Sequence, residues 1–516
     1  MNVVITFFLL IATIAQGVFI ALFLNHNQAA LSNFVLVCLL GAGYFGLFTY
    51  AIFNRQLNHA LLERLGSGWS LRLLSLIISA ALVAIALDNL VFDYFQAITT
   101  SDPVIYTMLA SWISLLISLS LALIESFYQS TVHLVRTTSA IVTAVLGLPV
   151  MLLVNQLTTS HVNPLVTHHA DVFVGGSDGY KIYRIPAMVV IPQGAKLANG
   201  IRLSHDRIVI MAEARRDGAL DTGVIDLVQK ISDDGGKTWQ QQQVICQHII
   251  GNEQGKCGNA TPVFDQVTGT LHLAYNLSGI PGNKAEGQRH HTSHVMRSRD
   301  GGLTWGERIT IDVPNAVFGP GHGIVKQHAP FVNRIIIPYN TSVGGQGSSL
   351  ALYSDDNGAT WQQGQPLGTG NENEFAETSS GEILMATRHI AGIGNPPKPN
   401  GRLFSTSIDG GNSWSEPRLD TNLATPICQA SLLKGKVADN MYFLNPAHEA
   451  ARVQLTLRLS TDNGLHWSQS QVITQGPAGY SQLAQLSNND IAMLYENGAL
   501  SYSQKISFGL MAPDKL

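Results

Sequence analysis

Between Ser232 and Trp467 one eight-residue pattern recurs five times, and a chain punctuated in this way has few folds open to it. The copies are Ser232 to Trp239 (SDDGGKTW), Ser298 to Trp305 (SRDGGLTW), Ser354 to Trp361 (SDDNGATW), Ser407 to Trp414 (SIDGGNSW) and Ser460 to Trp467 (STDNGLHW). Their starts lie 66, 56, 53 and 53 residues apart. A repeat at this period is the mark of an array in which each copy belongs to one supersecondary unit. The residue types define the unit. Asp or Asn followed by Gly closes a tight hairpin, because these residues tolerate positive φ. The Asp carboxylate can accept backbone N–H bonds inside the turn, while the Trp ring packs beneath it. The repeated Asp is therefore a folding device.

From Asp171 onward, short β-rich runs alternate with turn clusters, among them YRIPAMVVI, RIVIMAEA, LHLAYNLS, RIIIPYNT, EILMATRH and DIAMLYEN. No long stretch shows a 3.6-residue period. Many short strands at regular spacing predict an all-β assembly. The 346 residues of 171–516 divide into six units of about 58, close to the spacing of the motif. The expected architecture is a six-bladed β-propeller whose sixth blade is closed by the two ends of the domain.

The first 157 residues are of a different kind. They hold five apolar stretches, roughly 3–24, 31–53, 73–92, 104–124 and 138–154, the first four long enough to cross a bilayer as helices. The fifth is short and carries Pro149. A cleavable signal peptide competes for the first stretch, but that stretch lacks a basic n-region and further apolar stretches follow it. Arg55, Arg64 and Arg72 lie in one connecting loop and Arg136 in another, whereas the loop 93–103 has Asp93 and Asp102 and no basic residue. Excess Arg marks cytoplasmic loops. Five crossings then put the C-terminal domain outside the cytoplasm, and four would leave it inside. Asp88 and Glu125 fall near span ends and read as interfacial. The expected organisation is an all-α transmembrane helical region (1–157), a polar linker (158–170) and the propeller (171–516), an integral, multi-pass arrangement with the large domain extracytoplasmic.

Of the four cysteines, Cys38 falls in an apolar span, while Cys246 and Cys257 are permitted to pair in an extracytoplasmic domain. His290, His291 and His294 cluster in a Gly-rich loop, but no paired metal spacing accompanies them. A net charge of −4 without a basic stripe argues against a nucleic-acid partner. Trp69 and Trp112, outside the repeated motif, both belong to the membrane half, so there is no aromatic platform for long glycans.

The soluble half resembles the sialidase (neuraminidase) family over residues 171–505, and the repeated motif resembles that family's Asp-box, or BNR repeat. The resemblance is carried by Tyr183 to Pro186 (YRIP), by MAEARRDGALDTGVIDLVQKISDDGGKTW, by FGPGHGI (318–324), by NENEFAETSSGEILMATR and by GYSQLAQLSNNDIAMLYENG. It implies an exo-α-sialidase that releases terminal sialic acid from sialylated glycans with retention. Three arginines, placed at Arg184, Arg388 and Arg452, would grip the substrate carboxylate; guanidinium is planar, permanently charged and able to bind carboxylate with two hydrogen bonds. Tyr480 would be the nucleophile and Glu372 its base. A neutral phenol avoids the repulsion that a carboxylate nucleophile would meet beside the substrate's own carboxylate, but it needs a base because its pKa lies near 10. Asp221 would be the acid, with Asp217 and Asp226 as nearby competitors. Glu213 and Glu496 would surround the arginine cluster and hold Arg184. Asn259, Tyr275 and His322 fall in matched segments with pocket or core duties open. The resemblance implies no metal and no organic cofactor.

Turn geometry adds an independent expectation. Ser380 lies midway between Glu372 and Arg388, and Asn488 midway between Tyr480 and Glu496; both midpoints sit in turn-forming sequence. Residues opposed in an antiparallel pair share a face, so each pair is expected at one sheet edge. Two other readings stay open: a propeller of the same fold that binds glycans or proteins without catalysis, and a trans-sialidase.

Overall fold

The computed structural model describes residues 162–516, apart from 222, 248, 251–252, 280–290, 314–315, 344–345, 391–398 and 499–500. The expected membrane spans lie outside the described residues. Among the described residues no helix is long and apolar enough to cross a membrane.

The described strands form four sheets, antiparallel apart from one parallel bridge between Ile225 and Lys256, and these sort into six groups. Blade I comprises Ile182–Ile191, Arg207–Arg215, Ile225–Ser232 and Gln243–Cys246. Blade II comprises Glu253–Asp265, Thr270–Gly279, His291–Ser298 and Ile309–Ile311. In blade III two short inner strands, Ala316–Phe318 and Ile324–Val325, both pair with Ile335–Val343, followed by Gln346–Ser354 and Gln362–Gln363. Blade IV comprises Asn373–Glu377, Ile383–Thr387, Arg402–Ser407 and Arg418–Asp420. Blade V comprises Ser431–Lys434, Met441–Pro446, Val453–Ser460 and the first part of the long strand Gln469–Gln485. The second part of that strand starts blade VI, which continues through Ile491–Asn497 and Lys505–Met511 and is completed by His168–Val174.

The apolar side chains show how the blades are arranged. One cluster joins blades VI and I through Phe173, Tyr183, Ile208, Leu494 and Phe508. Others join I to II, II to III, III to IV, IV to V, and V to VI. Each blade packs on two neighbours and the sequence of contacts returns to its start. Among the described residues this closed cycle is the geometry of a six-bladed propeller, in which only short edges remain.

The five repeated motifs are built alike. In each, the Ser Oγ bonds the Asp Oδ1 at 2.6–2.8 Å. The same hydroxyl accepts the N–H of the Gly four residues on, and the Asp carboxylate accepts the N–H of the residue before the Trp. The five Trp rings pack against the inter-blade clusters.

The boundary of the domain differs from the expected one. The strand His168–Val174 starts inside the stretch read as linker, with His168 opposite Leu510. Asn163 bonds Val472 and Ile473, and Leu165 and Val166 pack against the V–VI cluster. Polar composition suggested a linker, but pairing with the last blade makes use of those polar backbone groups. Cys246 and Cys257 form a disulfide.

His272, in blade II, is buried with neither ring nitrogen bonded, lying against Trp361. Desolvation, then the Arg297 charge, pushes its pKa from 6.5 down to about 4. Below pH 6.5 the unfolded chain takes up a proton that the folded chain refuses, so stability falls as pH drops from 6.5 toward 4. The loss at this site is of the order of 3 kcal/mol. His272→Leu is expected to flatten the pH dependence of Tm across that window; curves for the two proteins that stay parallel would show that this imidazole does not couple to folding.

Candidate functional site

Arg184, on the first strand of blade I, meets Glu496, on the second strand of blade VI. Arg184 Nε and Nη2 donate to the two oxygens of Glu496 at 3.1 and 3.3 Å, and both side chains are buried. Glu496 also accepts the N–H of Ile185 at 2.8 Å and that of Tyr480 at 3.0 Å. Ile185 has φ +57°, a left-handed conformation that costs a β-branched residue of the order of 1–3 kcal/mol. The bond to Glu496 helps to hold this bend, which lies between the two halves of the pairing with Arg207–Arg215.

Blade IV contributes the second pair. Its register sets Asn373 opposite Thr387, which continues to Glu372 and Arg388. Arg388 N–H donates to the Glu372 carbonyl at 2.8 Å, and Arg388 Nη1 reaches Glu372 Oε2 at 2.6 Å. The Tyr480 hydroxyl donates to Glu372 Oε1 and receives Arg388 Nη1 at 3.2 Å. In blade VI, Ser481 opposes Tyr495 and the strand bulges before it, so Tyr480 meets Glu496 through its backbone N–H. Tyr480 packs in a small apolar cluster with Ile185 and Cys428.

The third guanidinium approaches from the loop before Val453–Ser460. Arg452 Nη2 donates to the Ile427 carbonyl at 2.8 Å, and its Cζ lies 5.3 Å from the centre of the Tyr480 ring. The Arg184 Cζ lies 5.1 Å from the same ring. The phenol is thus bracketed by cations on its ring and by Glu372 at its oxygen. Burial and then the Glu372 charge raise its pKa well above 10, against the pull of the three arginines. It is a protonated phenol at neutral pH, with an acceptor already in place for its proton.

Asp221 stands at the rim with its side chain 67% exposed. Arg215 Nη2 lies 2.7 Å from Asp221 Oδ1, and Arg184 Nη1 lies 3.7 Å from it. Partial burial would raise its pKa, but Arg215 and then Arg184 hold the carboxyl well below the usual carboxylate range. Its competitors are occupied elsewhere. Asp226 is buried, bonded to Tyr180 and Arg216, and the Asp217 carboxylate accepts the N–H of Val224.

Glu213 departs from its expected role. It opposes Arg184 in the register, yet its carboxylate goes to Arg215 at 2.6 Å and Lys256 at 3.3 Å and accepts the N–H of Asn259. Two causes redirect it. Glu496 already occupies Arg184, and Gly258 opens the alternative course, since a Cβ there would sit 2.2 Å from Glu213 Oε1. Of the pocket candidates, Asn259 bonds the Phe318 carbonyl and Tyr275 lies in the I–II core. His322 sits on the buried carboxylate of Glu374 at 3.2 Å and against Gln482. His294 is bonded to Thr292 and Thr310, while His290 and the His291 side chain lie outside the described residues.

Three residues near the site were not singled out from sequence. Arg215, the partner of both Glu213 and Asp221, stands beside Arg216 in the ARRD run, and nothing in the string separates their roles. Tyr502 lies 5.2 Å from Arg184 and 4.8 Å from Arg452, ring centre to Cζ. Arg402 is fully buried, and its Nη1 donates to the Cys428 carbonyl at 3.0 Å. Desolvation lowers the Arg402 pKa to about 10.

Comparison with known proteins follows the same lines. Residues 207–495 match the family described as BNR repeat-like domain. The chain is 32% identical over 360 residues to the sialidase of Micromonospora viridifaciens, covering 65% of this chain and 53% of that protein. It is 26% identical to the sialidase of Bacteroides fragilis, covering 62% of this chain and 61% of that protein. The match therefore spans about half of the first relative and about three fifths of the second. Among solved structures, Hadza microbial sialidase Hz136 superposes with a TM-score of 0.57 at 22% identity, over 67% of this chain and 69% of the other. A leech intramolecular trans-sialidase, complexed with 2,7-anhydro-Neu5Ac, superposes with a TM-score of 0.55 at 15% identity, over 68% and 71%. These likenesses show the fold.

The Arg184–Glu496 contact generates a prediction of its own. Removing one member of a buried ion pair leaves the other uncompensated, at a cost of about 3–5 kcal/mol. Glu496→Ala is expected to lose stability on that scale in denaturant unfolding, and a loss below about 1 kcal/mol would show that the clamp contributes little.

Proposed function

The chain belongs to the BNR repeat-like domain family, and from that premise we propose that it is an exo-α-sialidase, hydrolysing terminal sialic acids of glycoconjugates with retention. The observation that carries the reading is the hydrogen bond from the Tyr480 hydroxyl to Glu372 inside a cluster of three guanidiniums. Relatives named as sialidases support the same class of reaction.

In this mechanism Arg184, Arg388 and Arg452 bind the substrate carboxylate. Tyr480 gives its proton to Glu372 as its oxygen bonds the anomeric carbon, and the bond to the aglycone oxygen breaks. Asp221 supplies the proton that the departing oxygen needs. Water then attacks the anomeric carbon, giving one proton to Asp221, while the phenolate leaves and recovers its proton from Glu372. Two inversions amount to retention. The low proton affinity of Asp221 in the empty site is compatible with its role, because the arriving substrate carboxylate opposes the field of Arg184 and raises the affinity of Asp221 for a proton.

Residues 1–157 would anchor the domain in a membrane with the propeller outside the cytoplasm. The Cys246–Cys257 disulfide supports that placement, since such bonds persist in oxidising compartments. Protease added to cells stripped of any outer envelope, with the cytoplasmic membrane intact, is expected to digest the propeller; full protection until that membrane is lysed would overturn the placement.

The chemistry is tested with two variants. Tyr480→Phe is expected to abolish turnover of a fluorogenic sialoside while keeping the wild-type Tm, and near-normal turnover would remove Tyr480 as nucleophile. Asp221→Asn is expected to slow release from a sialylated sugar by about 100-fold or more. A phenolic leaving group needs no proton and should be far less affected. Equal losses on both substrates would rule Asp221 out as the acid.

A further inference from the structure

Arg184 and Arg452 present a physical difficulty. Both are buried or partly buried, and both guanidiniums stand by the same two aromatic rings. Arg184 has the Glu496 carboxylate. Arg452 has a backbone carbonyl, from Ile427. Two aromatic rings stand by both cations: Tyr480, at 5.1 and 5.3 Å from the two Cζ atoms, and Tyr502, at 5.2 and 4.8 Å. The face of an aromatic ring carries negative charge and attracts guanidinium within about 6 Å. Each ring is thus shared by the same two cations.

We propose that Tyr502 is a positioning residue that fixes Arg184 and Arg452 for recognition of the substrate carboxylate. This rests on the sialidase reading. Tyr480 also carries the proposed chemistry, its oxygen changing from phenol to glycosyl ether and back during turnover. Tyr502 forms no covalent bond and holds the arginines through both half-reactions.

The backbone makes room for it. Gly479, just before Tyr480, faces Tyr502 and Glu496: a Cβ at Gly479 would lie 2.8 Å from Tyr502 Cδ2 and 2.2 Å from Glu496 Oε2. Tyr502 and the Arg184 clamp therefore close on the same turn of backbone that sets the nucleophile. Tyr502 is half-buried, so a smaller side chain there opens no cavity in the sealed core. What the arginines take from it is the ring face, and the hydroxyl is dispensable to that role.

The test uses the full chain and two probes, an unsaturated sialic acid analogue and its methyl ester, which differ only in the carboxylate charge. Wild type is expected to prefer the acid. Tyr502→Leu is expected to narrow the acid-to-ester affinity ratio by about tenfold or more. It is also expected to raise KM for a sialoside while kcat changes by less than about threefold, with Tm retained. Tyr502→Phe, which keeps the ring face, is expected to restore the ratio and KM. An unchanged ratio in Tyr502→Leu, or an equal narrowing in Tyr502→Phe, would overturn the inference with the sialidase reading intact. A wild-type protein that neither hydrolyses the sialoside nor prefers the acid would overturn that reading, and this inference with it.

Discussion

Like charges confined to one small volume are the constraint on which the site is built. Three guanidiniums converge on the Tyr480 ring and hydroxyl, and in a poorly hydrated setting their repulsion is large unless it is offset. The molecule offsets it in different ways for each. Arg184 receives a whole carboxylate, Arg388 shares Glu372 with the phenol, and Arg452 has a carbonyl and two rings. The arginine with no carboxylate of its own is the one most in need of an anion from outside. A cluster of this kind is stable enough to fold and still has attraction left for a ligand.

Glu496 shows how one side chain ties strands together. Its oxygens meet Arg184, the strained Ile185 and the backbone of Tyr480, and so link the first strands of blades I and VI. Blade VI is also where the two ends of the domain pair. The site and the closure of the fold thus share a joint, and the bend at Ile185 is held by the same carboxylate that aims the arginine.

The sequence made some of this legible and hid the rest for definite reasons. The repeated motif exposed the blade count because a turn that needs Asp, Gly and Trp at fixed offsets leaves few substitutes. The midpoint at Ser380 placed Glu372 beside Arg388, since strand pairing is arithmetic while the register is regular, whereas between Tyr480 and Glu496 a bulge interrupts the register and the two meet through the Tyr480 N–H. Glu213 was misread for the opposite reason. Register fixed its face, but the choice between Arg184 and Arg215 depended on Gly258, from a strand far along the chain, clearing a path. Tyr502 gave no signal because its partners stand 318 and 50 positions earlier, and a lone Tyr after a turn has many uses. The start of the propeller was missed by a few residues because strand His168–Val174 is polar enough to pass for a linker.

That strand has a consequence for how the molecule comes into being. Thr167 bonds the carbonyl of Leu510, and Asp171 receives Lys505 and Ser507, so the earliest part of the domain to leave the ribosome waits for the latest. Until then blade VI has a bare edge and the cluster shared by VI and I lies open to water. A chain that stops a few residues short of Met511 does not merely lose its tail; it leaves the circle unclasped, with its oldest segment still searching for a mate.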